Sequence, residues 1–96
     1  MLTFVARMKV KEGKEEEFIN LAKALTNAVM ANEPEVTIYQ FYRLRDEKRG
    51  FAVIESFSDE MAEEAHRQSD HFKRLAPPLV ECLDGTYIRE FLDPLE

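Results

Sequence analysis

The most constraining feature of this 96-residue sequence is the order in which its hydrophobic periodicity changes. Apolar and polar side chains alternate over Leu2–Val10, which predicts a strand, and apolar side chains recur at helical spacing over Lys14–Ala31. Pro34 ends that helix, because a proline disfavours the α conformation in the residue before it. Two segments rich in β-branched and aromatic residues, Val36–Leu44 and Phe51–Phe57, then flank a polar turn, which predicts an antiparallel hairpin.

The second half of the chain repeats the helix and strand signals. Asp59 is a predicted cap for a helix over Glu60–Gln68, and a second helix is expected to begin at His71. The consecutive prolines Pro77-Pro78 are expected to break or restart that helix, and Thr86–Leu92 is the last predicted strand. The order β-α-β-β-α-β predicts an α+β fold of the ferredoxin-like kind, an antiparallel sheet with its helices on one face. We expect residues 1–96 to form a single domain.

Both faces of the predicted sheet carry apolar side chains. On the second strand, we expect one face to carry Val36, Ile38, Tyr42 and Leu44 and the other to carry Tyr39 and Phe41. One layer of helices covers only one face, so an identical subunit is the simplest cover for the other. We therefore expect a homodimer that packs sheet to sheet, a dimeric α+β barrel. The alternative is that these side chains are partly exposed or line a ligand cavity.

Charge and cysteine content exclude several classes of partner and site. The net charge of −6 and the lack of a basic patch argue against nucleic acid or an anionic membrane surface. The single cysteine, Cys82, cannot form an internal disulfide or a CxxC metal site. No signal-peptide pattern and no apolar run of about 20 residues is found, so we expect a cytoplasmic protein without a membrane segment.

His66 is the polar residue that the pattern most clearly directs inward. It shares a helical stripe with Ala62, Ala65 and Ser69, so its ring should point toward the sheet. A histidine there can exchange a proton near neutral pH. A buried, hydrogen-bonded structural histidine is an equally good interpretation of the same pattern.

Glu55 is the second candidate, since it lies in a strand on the same face as Val53 and Phe57. A carboxylate is costly there unless it is paired, and Arg7, Arg43 or a tyrosine hydroxyl could be its partner. A purely structural ion pair remains an alternative to a catalytic role.

Tyr39 and His71 complete the set of polar candidates. Tyr39 brings a phenolic donor and is expected on the face opposite Val36 and Ile38. His71 is expected to touch solvent or to cap its helix. A helix break is predicted between His66 and His71, so the two histidines should not share a helical face, and no metal site is predicted.

Three segments resemble the antibiotic biosynthesis monooxygenase family. They are Glu33–Tyr39, with a tyrosine in the second strand; Phe51–Glu60, with a glutamate and an aromatic residue near the strand end; and Ala65–Phe72, with the pattern A-H-x-x-S-x-H-F. The resemblance covers nearly the whole chain, and Ala65–Phe72 is its most specific part. It implies a ferredoxin-like subunit and a dimer with packed sheets.

The resemblance implies an oxidoreductase, a monooxygenase that acts with O₂ on a small phenolic, quinol or anthrone-like substrate and needs no cofactor. In that case His66 is the base or proton donor, Glu55 orients side chains and Tyr39 positions the substrate oxygen. The residues expected to bind substrate are His71, Phe57 and Phe72. The haem-degrading branch of relatives relies on a tryptophan that this chain lacks, so haem degradation is not expected.

Two other functions stay open at the level of sequence. One is an isomerase of a small phosphorylated, sugar-like compound, in which His66 moves a proton and Arg43, Arg67, Lys73 or Arg74 holds the phosphate. The other is a non-catalytic dimer whose pocket binds an apolar small molecule.

Overall fold

The computed structural model describes residues 1–95 and confirms the α+β, ferredoxin-like fold. The elements are β1 Leu2–Lys9, α1 Glu15–Asn32, β2 Val36–Arg43, β3 Gly50–Phe57, α2 Glu60–Gln68, α3 Asp70–Glu81 and β4 Ile88–Leu92. The four strands form one antiparallel sheet in the order β2-β3-β1-β4. None of the helices within these described residues has the length and apolar character needed to cross a bilayer.

The core lies between the sheet and the helices. Alternation along β1 directs Phe4, Ala6 and Met8 toward the helices, where all three are buried. From α1, Phe18 packs its ring against Phe51 of β3 at a centroid distance of 4.8 Å. Full burial of one such phenylalanine contributes about 1.5–3 kcal/mol to folding.

The register of β2 corrects one sequence prediction. The pairing with β3 is irregular between Val36 and Ile38, so Val36 pairs with Phe57 while Ile38 pairs with Ser56. The extra residue reverses the alternation, and Val36 is buried on the same face as Tyr39. The prediction that Val36 lies on the face of the sheet away from Tyr39 is therefore wrong. The same prediction for Ile38 is confirmed, because Ile38 and Tyr39 lie on different faces.

The two prolines do not interrupt α3. The helix runs continuously from Asp70 to Glu81 and contains Pro77 and Pro78, so the predicted break is wrong. Each proline removes one backbone donor, which leaves the carbonyl groups of Lys73 and Arg74 without their helical partners. Both residues are exposed, so water can bond these carbonyls.

Side-chain caps fix the junction between α2 and α3. The Asp59 side chain accepts a hydrogen bond from the Ala62 backbone N–H at 2.8 Å, as the cap prediction requires. At the junction, Ser69 Oγ accepts from the Phe72 N–H at 3.3 Å and donates to the His66 carbonyl at 2.7 Å. These bonds set His66, at the end of α2, beside Phe72, in the first turn of α3.

The face of the sheet away from the helices is rich in apolar side chains. Ile38, Ile88 and Leu92 are 44%, 77% and 45% exposed on this outer face. Val5 and Ile54 lie opposite each other at its centre, in paired positions of β1 and β3. The described chain therefore has an apolar sheet surface without a second layer over it.

Candidate active site

A cavity of about 200 Å³ lies between the sheet and the helices. Aromatic and aliphatic side chains make up most of its wall, including Phe4, Met8, Phe72 and Leu79. Its polar lining consists of Tyr39, Glu55, Glu63, His66, Arg67, Tyr87 and Arg89. The three predicted catalytic residues therefore line one mostly apolar cavity, which is the usual character of a small-molecule site.

The sheet and α2 bring these three residues together. Tyr39 on β2 is the register partner of Glu55 on β3, so both side chains project from neighbouring strands toward the helices. His66 comes down from α2, with its ring centroid 5.3 Å from that of Tyr39. Its Nε2 atom lies 4.0 Å from a carboxyl oxygen of Glu55.

Only one of the two ring nitrogens of His66 has a hydrogen-bond partner within residues 1–95. Its side chain is 2% exposed, and its Nδ1 atom lies 3.1 Å from both carboxylate oxygens of Glu33. Its Nε2 atom is buried and has no hydrogen-bond partner among residues 1–95. Burial lowers the pKa of His66 below its ordinary value, and the hydrogen bond that the ring donates to Glu33 opposes that shift. The imidazole is therefore neutral near pH 7 and available to take up a proton.

The environment of Glu55 favours the protonated form of its side chain. Burial, reinforced by the negative charge of Glu63, raises its pKa to about 8, while Arg89 acts in the opposite direction. The side chain is thus largely protonated at pH 7 and can donate a hydrogen bond.

The expected cationic partners of Glu55 lie elsewhere. Arg7 forms an ion pair with Glu90, and the Arg43 guanidinium lies 4.0 Å from Glu15. Arg7 is on the outer face of the sheet because the alternation of β1 directs it away from the helices. The suggestion that either arginine pairs with Glu55 is therefore wrong.

Tyr39 supplies a neutral phenol to the cavity. The residue is 5% exposed, and burial, together with the nearby Glu55 charge, raises the pKa of its hydroxyl far above the ordinary value. The hydroxyl therefore stays protonated at any physiological pH.

The three predicted substrate-binding residues occupy two different positions. Phe72 lines the cavity, with its ring centroid 4.7 Å from that of His66. Phe57 is fully buried, and its ring centroid lies 5.3 Å from that of His66. His71 forms a hydrogen bond with Glu33. Neither Phe57 nor His71 is among the residues that line the cavity.

Sequence reasoning missed two carboxylates near the site, the buried Glu63 and the half-buried Glu33. Glu63 is 7% exposed and accepts a hydrogen bond from Arg67 Nε at 2.9 Å. The prediction that Ala65 points inward on this helix is wrong, because Ala65 is exposed. Glu63 stands one turn before His66 on the helix, so the inward stripe itself could have identified it. Glu33 follows the end of α1, and no local pattern marks it.

Within residues 1–95, the side chains of Glu33, His66 and His71 form a group that could hold a metal ion. One nitrogen from each histidine and one carboxylate oxygen all lie within 4.8 Å of one another. The two histidines belong to different helices and do not share a helical face, as predicted, but both contact the same carboxylate, which the sequence did not indicate.

Comparison with known proteins identifies the family. The family model for antibiotic biosynthesis monooxygenase matches residues 1–77. The chain belongs to this family. YcnE of Bacillus subtilis (strain 168), named a putative monooxygenase, is 32% identical over 85 residues, which are 88% of each protein.

Solved structures of family members and other proteins share the fold. One is the crystal structure of a putative antibiotic biosynthesis monooxygenase from Caulobacter crescentus CB15, which is 30% identical with a TM-score of 0.92. The match covers 99% of this chain and 90% of the Caulobacter chain. A conserved protein from Methanosarcina mazei Go1 has a TM-score of 0.87 and 32% identity over 95% of this chain and 89% of its own.

Proposed function

We propose that this protein is a monooxygenase that uses O₂ to oxidise a small phenolic, quinol or anthrone-like substrate without an organic cofactor. The observation that carries the proposal is the buried Nε2 atom of His66, which has no hydrogen-bond partner in the described part of the chain and lies 4.0 Å from Glu55 at an apolar cavity. Membership of the antibiotic biosynthesis monooxygenase family supports the reaction type.

In the proposed reaction, His66 Nε2 removes a proton from the substrate and creates an electron-rich anion. The anion reduces O₂ and its carbon bonds to one oxygen atom, which gives a hydroperoxide. Loss of water leaves a carbonyl, so that a CH₂ group and O₂ become C=O and H₂O. The substrate supplies the electrons and the two hydrogen atoms that leave in the water.

Two neutral donors suit the proposed anion. Glu55, protonated at pH 7, and Tyr39, a phenol with a raised pKa, can both donate to a substrate oxygen on which negative charge develops. The apolar remainder of the cavity strengthens these bonds by excluding water. We assign aromatic contact with the substrate to Phe72, while Phe57 and His71, which lie behind His66, support the histidine.

Oxygen consumption tests this proposal. Purified protein is expected to consume O₂ with at least one member of a panel of naphthols, hydroquinones and anthrones, and to form the carbonyl product at one equivalent per O₂. Conversion that continues at the same rate without oxygen would contradict the proposal. Binding of panel members without any oxygen uptake would favour the non-catalytic binding function.

The charges in the cavity argue against a phosphorylated substrate. Arg67 and Arg89 both line the cavity, but the Glu63 carboxylate lies 2.9 Å and 3.5 Å from their nitrogens. Glu63 thus offsets their positive charge, and a phosphate would have to displace it. We rank the isomerase below the monooxygenase for this reason.

We also propose that two copies of the chain pack through the outer face of the sheet. Ile54→Lys, at the centre of that face, is expected to convert a dimer to monomers, because it would bury two charges at the two-fold interface. Met61→Lys is the matched control, since Met61 is 80% exposed on α2. Sedimentation velocity is the measurement, and a wild-type protein that sediments as a monomer would contradict the proposal.

A further inference from the structure

The Glu33 carboxylate joins the buried histidine of the cavity to a second histidine nearer the surface. It contacts His66 Nδ1 at 3.1 Å through both oxygens, and one of those oxygens also contacts His71 Nε2. The side chains of Glu33 and His71 are each 12% exposed, against 2% for His66. Glu33 does not line the cavity.

The backbone holds Glu33 firmly in this place. Its N–H donates to the Val29 carbonyl at 2.8 Å, and its own carbonyl accepts from the Val36 N–H at 3.1 Å. The residue is thus fixed to the end of α1 and to the start of β2. A carboxylate anchored in this way can dictate the orientation of the imidazole that contacts it.

We infer that Glu33 is a positioning residue that selects the Nδ1–H tautomer of His66 and so directs the Nε2 lone pair into the cavity. This inference deepens the proposed monooxygenase function and rests on it. A carboxylate accepts hydrogen bonds but does not donate them, so the nitrogen that faces Glu33 must carry the proton. The neutral ring then has its acceptor at Nε2, the atom that has no partner in the described chain.

The same contact stabilises the ring after proton uptake. An imidazolium in an apolar site is costly, and the Glu33 charge beside Nδ1 offsets that cost. Glu55 cannot take this role, because it is largely protonated at neutral pH and lies 4.0 Å away. His71 contacts one of the same Glu33 oxygens and so helps to hold the carboxylate in place.

The contacts of Glu33 are those of a hydrogen-bonded carboxylate. Ligand atoms around a zinc ion lie about 2.0–2.2 Å from it, which keeps neighbouring ligands roughly 3 Å or more apart. Hydrogen bonds with the two histidines account for the side-chain contacts of Glu33 in this arrangement, and binding of an ion would require these side chains to separate.

Nitrogen NMR of the histidine side chains tests the inference without requiring turnover. In ¹⁵N-histidine-labelled wild-type protein at neutral pH, His66 is expected to show a protonated Nδ1 and an unprotonated Nε2. Glu33→Gln is expected to shift this population toward the Nε2–H form, because an amide can donate to Nδ1. Glu33→Asp keeps the carboxylate and should retain more of the Nδ1–H form.

Kinetics provide the second readout. Glu33→Gln is expected to lower kcat by about 10²–10⁴-fold, the share that a base with the wrong tautomer loses. KM should change little, since Glu33 does not touch the cavity. Glu64→Gln is the matched control, because Glu64 is an exposed glutamate on the same helix as His66.

Each outcome has a definite meaning. A wild-type His66 that is protonated at Nε2 would overturn the inference, whether or not Glu33→Gln folds. Active wild-type protein whose tautomer and kcat are both unaffected by Glu33→Gln would overturn it as well. One equivalent of zinc that binds to wild-type protein and not to Glu33→Gln would assign the carboxylate to a metal instead. A shifted tautomer in a protein that oxidises no substrate would support the positioning role and refute the proposed function alone.

Discussion

The His66→Ala protein is expected to fold and to lose oxidation turnover by about 10²–10⁴-fold, the usual contribution of a general base. At the cavity, His66 has a ring that is neutral near pH 7 and a buried nitrogen without a hydrogen-bond partner among residues 1–95. Alanine removes the proton acceptor and leaves Glu55 and Tyr39, which are both protonated and cannot replace it. Oxygen uptake and product formation at saturating substrate measure the loss.

The structural cost of the same substitution is expected to be smaller. The ring packs among Tyr39, Phe57 and Phe72, so its removal leaves a hole and should lower the free energy of unfolding by about 1–3 kcal/mol. Oligomeric state should not change, because His66 faces the core and not the outer sheet face. Urea unfolding and sedimentation separate this cost from the loss of catalysis.

Two further variants make the result specific. Gln68→Ala, at an exposed position of the same helix, should keep wild-type turnover. His71→Ala should lower turnover less than His66→Ala does, since His71 reaches the cavity only through Glu33. A folded His66→Ala protein with unchanged oxygen uptake would show that the histidine is structural, and the catalytic assignment would then be withdrawn.

The local sequence pattern was sufficient to predict a helix or strand, and its inward face, where a single hydrophobic periodicity runs along the whole element. The alternation along β1 and the inward position of His66 depend only on neighbours in the sequence and on the common core, and both predictions are confirmed, although Ala65 of the same predicted stripe is exposed. The fold followed from the order of such elements. The inward position of Glu55 followed from the same alternation in β3.

Prediction failed where one contact joins distant parts of the chain. Glu33 and His66 are 33 residues apart, and Glu33 and His71 are 38 apart, so no window of sequence relates them. The irregular pairing after Val36 depends on the partner strand, which a single strand pattern does not describe. The helix α3 tolerates its two prolines because the carbonyls that they leave unpaired belong to exposed residues. This exposure depends on how the helix packs in the fold, which the local sequence does not specify.

The buried carboxyl of Glu55 is expected to make the protein less stable as the pH rises. Its pKa is about 8 in the folded state and 4.5 in the reference state, so between these values the folded protein retains a proton that the unfolded chain loses. The folded state binds more protons, and its stability therefore falls with increasing pH across this window. His66 acts oppositely below pH 6.5, because its lowered pKa costs stability as the pH falls. The difference between wild type and a variant at residue 55, measured from pH 6.5 to 8, therefore isolates Glu55, because both proteins contain His66.

Glu55→Gln should remove most of this pH dependence, since glutamine keeps the shape and a hydrogen-bond donor but does not ionise. Over the interval from pH 6.5 to 8, the stability of the variant relative to wild type should rise by about 2 kcal/mol, from roughly 1.4 kcal/mol per pH unit of unequal protonation. Urea unfolding at several pH values gives the two curves. Glu64→Gln, at an exposed position, should follow wild type to within about 0.5 kcal/mol throughout. Parallel curves for Glu55→Gln and wild type would mean that Glu55 is already ionised at pH 6.5, and it could not then serve as the neutral donor in the cavity.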